Sequence, residues 1–245
     1  MEKLKVKAVI FDLGSTLIEY ETTPWPELAK SCIGNVHKYL KKRKFELPEE
    51  AQFLELFEEV KSFYRKSAAE NLIEWSVPTA AEKVLEKLEI PNENNLADKM
   101  FEAYYKPVEA ELYAYDDSFS TLKKIKDEIG TIGLVSNTIF PDHTHIDELK
   151  RFDLYQFFDF TIFSSVFGLR KPHPDIFTQA VNMAGFAPSE CLYVGDRYIE
   201  DVTGPNSIGM HAILKVKPGR EYPQDMPEDV RKINQLVELF DYLEI

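Results

Sequence analysis

Cysteine is nearly absent from this 245-residue chain, and the two that occur, Cys32 and Cys191, are too few and too far apart to suggest a disulfide framework or a zinc site. A reducing, cytoplasmic setting fits that usage. Basic residues are also scarce, 29 Lys and Arg against 42 Asp and Glu, for a net charge of -13. A chain this acidic lacks the basic surface that a phosphate-backbone partner requires, so no nucleic acid partner is expected. The one short basic run, Lys41 to Lys44, falls near the end of a predicted helix, where cations complement the helix dipole. No apolar run approaches the roughly 18 residues of a membrane span. No signal peptide is read at the start, because Glu2, Lys3, Lys5 and Lys7 lead straight into the first strand. No membrane partner is expected. There is no internal repeat, no low-complexity segment, no GxxxxGK[ST] loop and no GxGxxG fingerprint, which argues against a nucleotide-dependent kinase or a dinucleotide-binding dehydrogenase. A monomer and a homodimer are equally open.

With 44% hydrophobic and 13% aromatic residues, the chain can bury a sizeable core in one large or two modest domains. The stretch around which it is organised is Lys7 to Ile18, KAVIFDLGSTLI. Val9, Ile10 and Phe11 form a short apolar run suited to a strand covered on both faces, and Asp12 stands where the run ends. A carboxylate there is costly unless it binds something, although a turn cap is an open alternative from this stretch alone. In open α/β sheets ligands bind outside the carboxyl ends of the strands.

After a polar loop ending in Pro24-Trp25-Pro26, helical periodicity alone is seen to about Glu111. Helices are expected over 27–42, 48–69, 79–88 and 95–105, with the last ending near Lys106-Pro107. From Tyr113 helix and strand alternate. Strands are expected at 131–135, 160–163, 191–194 and 211–216, and helices at 118–128, 145–151, 175–184, 199–207 and 230–243. This pattern predicts an α/β fold, a Rossmann-like parallel sheet core with helices on both faces, plus an inserted all-α cap domain. The core comprises 1–19 and 112–245 and the cap 20–111.

Each core strand ends in residues suited to one task. The second leads into Ser136-Asn137-Thr138, a lysine lies in the loop Gly168 to His173, and the fourth leads into Gly195-Asp196 with Asp201 five residues on. Asp12, Asp196 and Asp201 together would repel one another unless a cation sat among them, and all-oxygen ligation suits Mg²⁺. Lys171 and the backbone amides around Ser136 and Asn137 would hold a phosphoryl group.

DLGST, the Ser136-Asn137 strand end, Lys171 within RKPHPDIF, and GDRYIED occur in the order and spacing of the haloacid dehalogenase-like hydrolase superfamily, which the whole core resembles. The resemblance implies a phosphohydrolase acting on a small phosphorylated metabolite. It makes Asp12 the nucleophile that becomes an aspartyl phosphate, Ser136 a donor to the phosphoryl group aided by Asn137, and Lys171 the neutralising cation. It makes Asp196 the direct Mg²⁺ ligand and Asp201 a second acid that binds metal or fixes Lys171. Asp12 and the backbone carbonyl of Gly14 complete the ligand set.

Gly14 departs from that pattern, because most phosphatases of the superfamily carry there a second aspartate that protonates the leaving group. Three alternatives follow: a substrate with a good leaving group, a substitute acid such as Glu19, Glu21 or Ser15, or a phosphoryl-ligand-binding or weakly active protein. A haloacid dehalogenase is a rival reading, but it has little use for the pair Asp196 and Asp201. A phosphonate hydrolase would need a cap lysine such as Lys30, Lys38 or Lys61, all of which read as solvated helix faces. His143, His145 and His173 are not spaced as a metal site, and Trp25 suits an anchor at the cap hinge or a stacking surface for substrate.

Overall fold

The computed structural model describes residues 3–245, and Glu2, one of the charged residues ahead of the first strand, lies outside them. The chain divides into two compact units, one running up to Glu19 and resuming over Tyr113–Ile245, the other Tyr20–Leu112.

The first unit is built on strand β1 (Ala8–Phe11), whose four residues are all buried, as a strand covered on both faces must be. A two-residue strand β2 (Ile18–Glu19) follows. On return from the second unit the chain forms β3 (Tyr113–Ala114), which pairs antiparallel with β2 and closes the core where the insertion leaves and rejoins it. The main sheet adds β4 (Thr131–Ser136), β5 (Phe160–Phe163), β6 (Cys191–Gly195), β7 (His211–Lys215) and β8 (Lys232–Ile233). Its order is β5-β4-β1-β6-β7-β8 and every pairing is parallel. The chain lays β4 and β5 to one side of β1, then crosses to lay β6 and β7 on the other. That reversal puts the switch point of the sheet at the carboxyl end of β1.

The second unit is all helical: α1 (Trp25–Lys42), α2 (Glu50–Asn71), α3 (Val77–Lys87) and α4 (Leu96–Glu111). Its interior is a run of aromatic contacts, His37 to Phe53, Phe53 to Phe57 and Phe57 to Tyr104, with His37 fixed to the Pro48 carbonyl at 3.1 Å. Lys41 and Lys42 fall in the last turn of α1.

In the first unit, α5 (Ser118–Glu128), α6 (Asp142–Arg151), the single turn α7 (Ser164–Phe167) and α8 (Pro174–Ala184) connect the strands. The start of α8 is set by Pro174 at its first position and by the His173 ring, which accepts from the Asp175 N–H; its end is set by left-handed Gly185. Ile176, Phe177, Ala180, Val181 and Ala184 recur on one face and pack with Ala8, Ile10, Val135 and Tyr193 of the sheet.

Four expectations need correction. The helix expected over 95–105 runs on through Pro107 to Glu111, since proline removes only one ladder bond there. The helix expected at 199–207 is a π-helix over Tyr198–Thr203 followed by a short turn at Gly204–Asn206. The helix expected over 230–243 is instead β8, a 3₁₀ turn at Leu236–Glu238 and a short helix Leu239–Tyr242. Ile233, Leu236, Leu239 and Leu243 are all buried and repeat at helical spacing, but the open edge of β7 captures the backbone first, with Val216 N–H on the Ile233 carbonyl at 2.7 Å. Lys61, expected on a solvated helix face, is buried: its ammonium lies 2.7 Å from Glu58 and over the Tyr104 ring, and burial lowers its pKa. Lys30 and Lys38 are exposed as expected. No helix among the described residues is long and apolar enough to cross a membrane.

Phe177 links α8 to the sheet through an edge contact with the Tyr193 ring and is fully buried. Phe177→Ala is therefore expected to cost about 3–5 kcal/mol of stability, read as a lowered denaturation midpoint.

Candidate active site

Asp12 follows β1 directly, Ser136 is the last residue of β4 and Asp196 follows β6, so three adjacent strands deliver them to the switch point. Asp12 is anchored by its N–H on the Val194 carbonyl at 2.8 Å, and Thr16 Oγ1 approaches its Oδ2 at 3.4 Å. Asp201 comes from the π-helix, a local widening common at functional sites. Its Oδ2 accepts from the Arg197 N–H at 2.8 Å. A Cβ on Gly195 would run into the Asp201 side chain, so only glycine lets the two elements approach this closely. One carboxylate oxygen from each of Asp12, Asp196 and Asp201 lies within 4.8 Å of the others, and all three residues are buried.

Lys171 occupies the middle of this acidic group. Its Nζ donates to Asp12 Oδ1 at 2.7 Å, to Asp201 Oδ1 at 2.7 Å and to Tyr193 Oη at 2.8 Å, with 2% of the side chain exposed. Burial alone would drive the ammonium's pKa down, but the carboxylates of Asp12 and Asp201 push it well above the ordinary lysine value. Burial, with the charge of Asp12, raises Asp201 to about 6 against the pull of Lys171. Tyr193 Oη donates onward to the Val135 carbonyl at 2.8 Å, tying the lysine to the sheet.

The Asn137 side chain is committed to the lysine loop. Its amide bonds the backbone of Lys171 twice, accepting from the Lys171 N–H at 2.7 Å and donating to its carbonyl at 2.9 Å. It positions the lysine loop, and only its backbone N–H can serve a phosphoryl group. Ser136 is buried at the end of β4.

Gly14 offers no side chain, and two of the substitutes for it, Glu19 and Ser15, are engaged elsewhere. Glu19 is buried, accepting from Tyr115 Oη at 2.6 Å, Ser15 Oγ at 3.2 Å and Lys217 Nζ at 3.0 Å. Ser15 also takes Lys217 Nζ at 2.8 Å on Oγ and Lys215 Nζ at 3.0 Å on its carbonyl. Glu21 belongs to the helical unit. Of the histidines, His145 is locked between Thr138 Oγ1 and Glu148 Oε2, each at 2.6 Å, and His173 caps α8. Burial raises the Cys32 and Cys191 thiols to about 12 and about 11, which makes them poor nucleophiles.

Sequence reasoning missed Tyr193, Lys215, Lys217, Arg220 and Tyr222. The segment KVKPGR carried a signal for part of this, since Pro218-Gly219 is a turn pair directly after a strand. The turn aims Arg220 at Asp196, with which it forms an ion pair.

A parallel α/β core with three acids and a buried lysine at its switch point defines a class of enzyme that works at the carboxyl edge of a sheet. Residues 6–209 match the haloacid dehalogenase-like hydrolase model, and the chain belongs to that family. It is 28% identical over 223 residues to a glyceraldehyde 3-phosphate phosphatase of Methanopyrus kandleri, covering 90% of this chain and 87% of the relative. A protein of the same name from Methanothermobacter thermautotrophicus is 28% identical over 246 residues, covering 97% of this chain and all of the relative. Among solved structures, a 2-haloacid dehalogenase from Pseudomonas syringae superposes with a TM-score of 0.72 at 23% identity, covering 97% of each chain. A phosphatase of the family from Thermococcus onnurineus superposes at 0.67 and 24% identity, covering 98% of this chain and 100% of the other. These superpositions share the fold, and the two proteins named perform different chemistries.

Two outcomes follow from these charges. Lys171→Met would leave Asp12 and Asp201 buried and facing each other without a cation, lowering stability by about 3–5 kcal/mol in denaturant titrations at neutral pH. Burial also lowers Lys215 to about 8, where its Nζ stands 3.5 Å from the Tyr115 ring centre. Between about pH 8 and the ordinary lysine value of 10.5 the unfolded chain holds this proton and the folded one does not, so stability from this group rises with pH over that window. The stability difference between wild type and Lys215→Met should therefore shift in favour of the wild type as pH is raised from 8 to 10.5.

Proposed function

We propose that the protein is a Mg²⁺-dependent phosphohydrolase acting on a small phosphorylated metabolite through an aspartyl phosphate on Asp12. The observation that carries this reading is the convergence of Asp12, Asp196, Asp201 and Lys171 at the switch point, all buried. A metal suits the donor set, because Asp196 Oδ1 is buried with no hydrogen-bond partner among the described residues and hard oxygen ligands match Mg²⁺. Asp12, Asp196, Asp201 and the Gly14 carbonyl would hold it, and it would supply positive charge against the phosphoryl oxygens.

An Asp12 carboxylate oxygen bonds to phosphorus as the ester P–O bond breaks, and the leaving oxygen departs with the bonding pair. Water then attacks the phosphorus of the aspartyl phosphate, releasing inorganic phosphate and restoring the carboxylate. Lys171, Ser136 Oγ and the backbone N–H of Asn137 bind the charge that gathers on the phosphoryl oxygens. Asn137 and Tyr193 hold the lysine in place. Because position 14 is glycine, the leaving oxygen takes its proton from solvent or leaves unprotonated, which favours substrates with good leaving groups. The relatives named glyceraldehyde 3-phosphate phosphatases support a triose-phosphate-sized substrate. Tyr20–Leu112 serves as the cap, and the setting is the cytoplasm.

Gly14 also favours a second reading, a protein that binds a phosphorylated ligand with little turnover. Hydrolysis of para-nitrophenyl phosphate, acetyl phosphate and glyceraldehyde 3-phosphate, with and without Mg²⁺, separates the two. Metal-dependent turnover is expected, falling by at least about 10³-fold in Asp12→Asn and rising in Gly14→Asp for the poorer leaving group. Unchanged turnover in Asp12→Asn would sink the mechanism. No turnover in the wild type, restored by Gly14→Asp, would favour the binding protein.

A further inference from the structure

Lys171 neutralises Asp12 and Asp201 but not Asp196, whose side chain is only 1% exposed. The chain meets that charge from another direction. Beyond β7, Lys217-Pro218-Gly219-Arg220 makes a turn with the Arg220 N–H on the Lys217 carbonyl at 3.2 Å and Gly219 at φ 81°, a conformation that suits glycine after proline. Tyr222 fastens this turn to the site, its hydroxyl accepting from the Lys217 N–H at 2.9 Å and donating to the Asp196 carbonyl at 3.1 Å. The turn presents the Arg220 guanidinium to Asp196 Oδ2 as an ion pair, while Oδ1 is buried with no hydrogen-bond partner among the described residues. The segment beyond it, up to β8, is largely exposed and has no regular strand or helix, and Tyr222, Met226 and Val230 are the side chains that pack it against Val202, Ala212 and Leu214, leaving the Arg220 side chain outside that cluster.

We infer that Arg220 is a tethered cation that competes with the divalent metal for Asp196, so that this turn sets the metal affinity of the site. The inference rests on the reading of Asp196 as a metal ligand. A buried carboxylate with no cation is strongly unfavourable, and in the metal-free protein Arg220 removes that cost. A divalent ion on the same carboxylate would stand against a guanidinium that cannot shed its proton, so it binds well only when Arg220 withdraws. The fraction of molecules with Arg220 withdrawn then multiplies the intrinsic affinity.

The test is metal binding to stripped protein, with Mn²⁺ followed by electron paramagnetic resonance and Mg²⁺ by calorimetry, in wild type, Arg220→Gln, Arg220→Lys and Asp196→Asn. A charge-assisted contact of this kind corresponds to about 10- to 100-fold, so Arg220→Gln should bind Mn²⁺ tighter by that factor. Arg220→Lys should fall between it and the wild type, and Asp196→Asn should lose binding. Metal-free Arg220→Gln should melt below the wild type and recover when Mn²⁺ is added. Equal or weaker binding by folded Arg220→Gln would overturn the inference and leave the metal site standing. An equal melting deficit with and without metal would also overturn it, by reducing Arg220 to packing. Absence of Mn²⁺ binding in every variant would remove the metal-site reading and this inference with it.

Discussion

A lysine ammonium held 2.7 Å from two carboxylates, with almost no water around it, is the constraint on which the rest of the site depends. Without Lys171, Asp12 and Asp201 could not both be ionised so close together in the interior, and the end of β1 and the π-helix that carry them could not converge. The cost of desolvating three charges is offset only by good geometry, which explains how much of the surrounding structure is spent on aiming one side chain. Tyr193 fixes the ammonium from the sheet, the Asn137 amide clamps the lysine backbone from the end of β4, and glycine at 195 lets the π-helix bring Asp201 into reach.

A second set of charges supports the loop after Asp12. Glu19, Tyr115, Lys215 and Lys217 close around Ser15, joining β2, the segment after β3 and the end of β7. The backbone at Ser15 is left-handed, φ 58°, a conformation that a serine adopts at some cost. The lysines that bond its carbonyl and hydroxyl hold it there. In this way the turn that would present the Gly14 carbonyl is shaped by residues 200 and 202 positions away in the chain.

The family fold leaves the chemistry open, since a dehalogenase and a phosphatase superpose on this chain almost equally well. What distinguishes the chain is local. It keeps the acids suited to a metal and to Lys171, lacks the usual proton donor at position 14, and places an arginine on Asp196. On the proposed mechanism the first feature favours phosphoryl chemistry, the second limits which leaving groups suffice, and the third would couple the metal site to an exposed loop.

Much of the fold was legible in the sequence because it follows from local physics. The apolar run of β1, the alternation of strands with helices after Tyr113 and the polar residues closing each strand all specify a parallel sheet with its acids at one edge. By the same logic the sequence alone marks Asp12, Lys171, Asp196 and Asp201 as one group. Other features depended on partners distant in the chain. The segment 230–243 has helical periodicity, yet β7 offered a free edge and the backbone paired with it. Lys61 sits among charged neighbours in sequence, yet the packing of α2 against the other helices buried it. Asn137, Glu19 and Arg220 owe their roles to contacts 34, 96 and 24 residues away, with Lys171, Tyr115 and Asp196. Periodicity and strand-end chemistry are properties of neighbouring residues, so the sequence by itself determined the architecture and the grouping of the acids at one sheet edge. Hydrogen-bond partners and burial are properties of the packed chain, so only the tertiary structure decided which polar side chains meet at the strand ends and which hold the others in place.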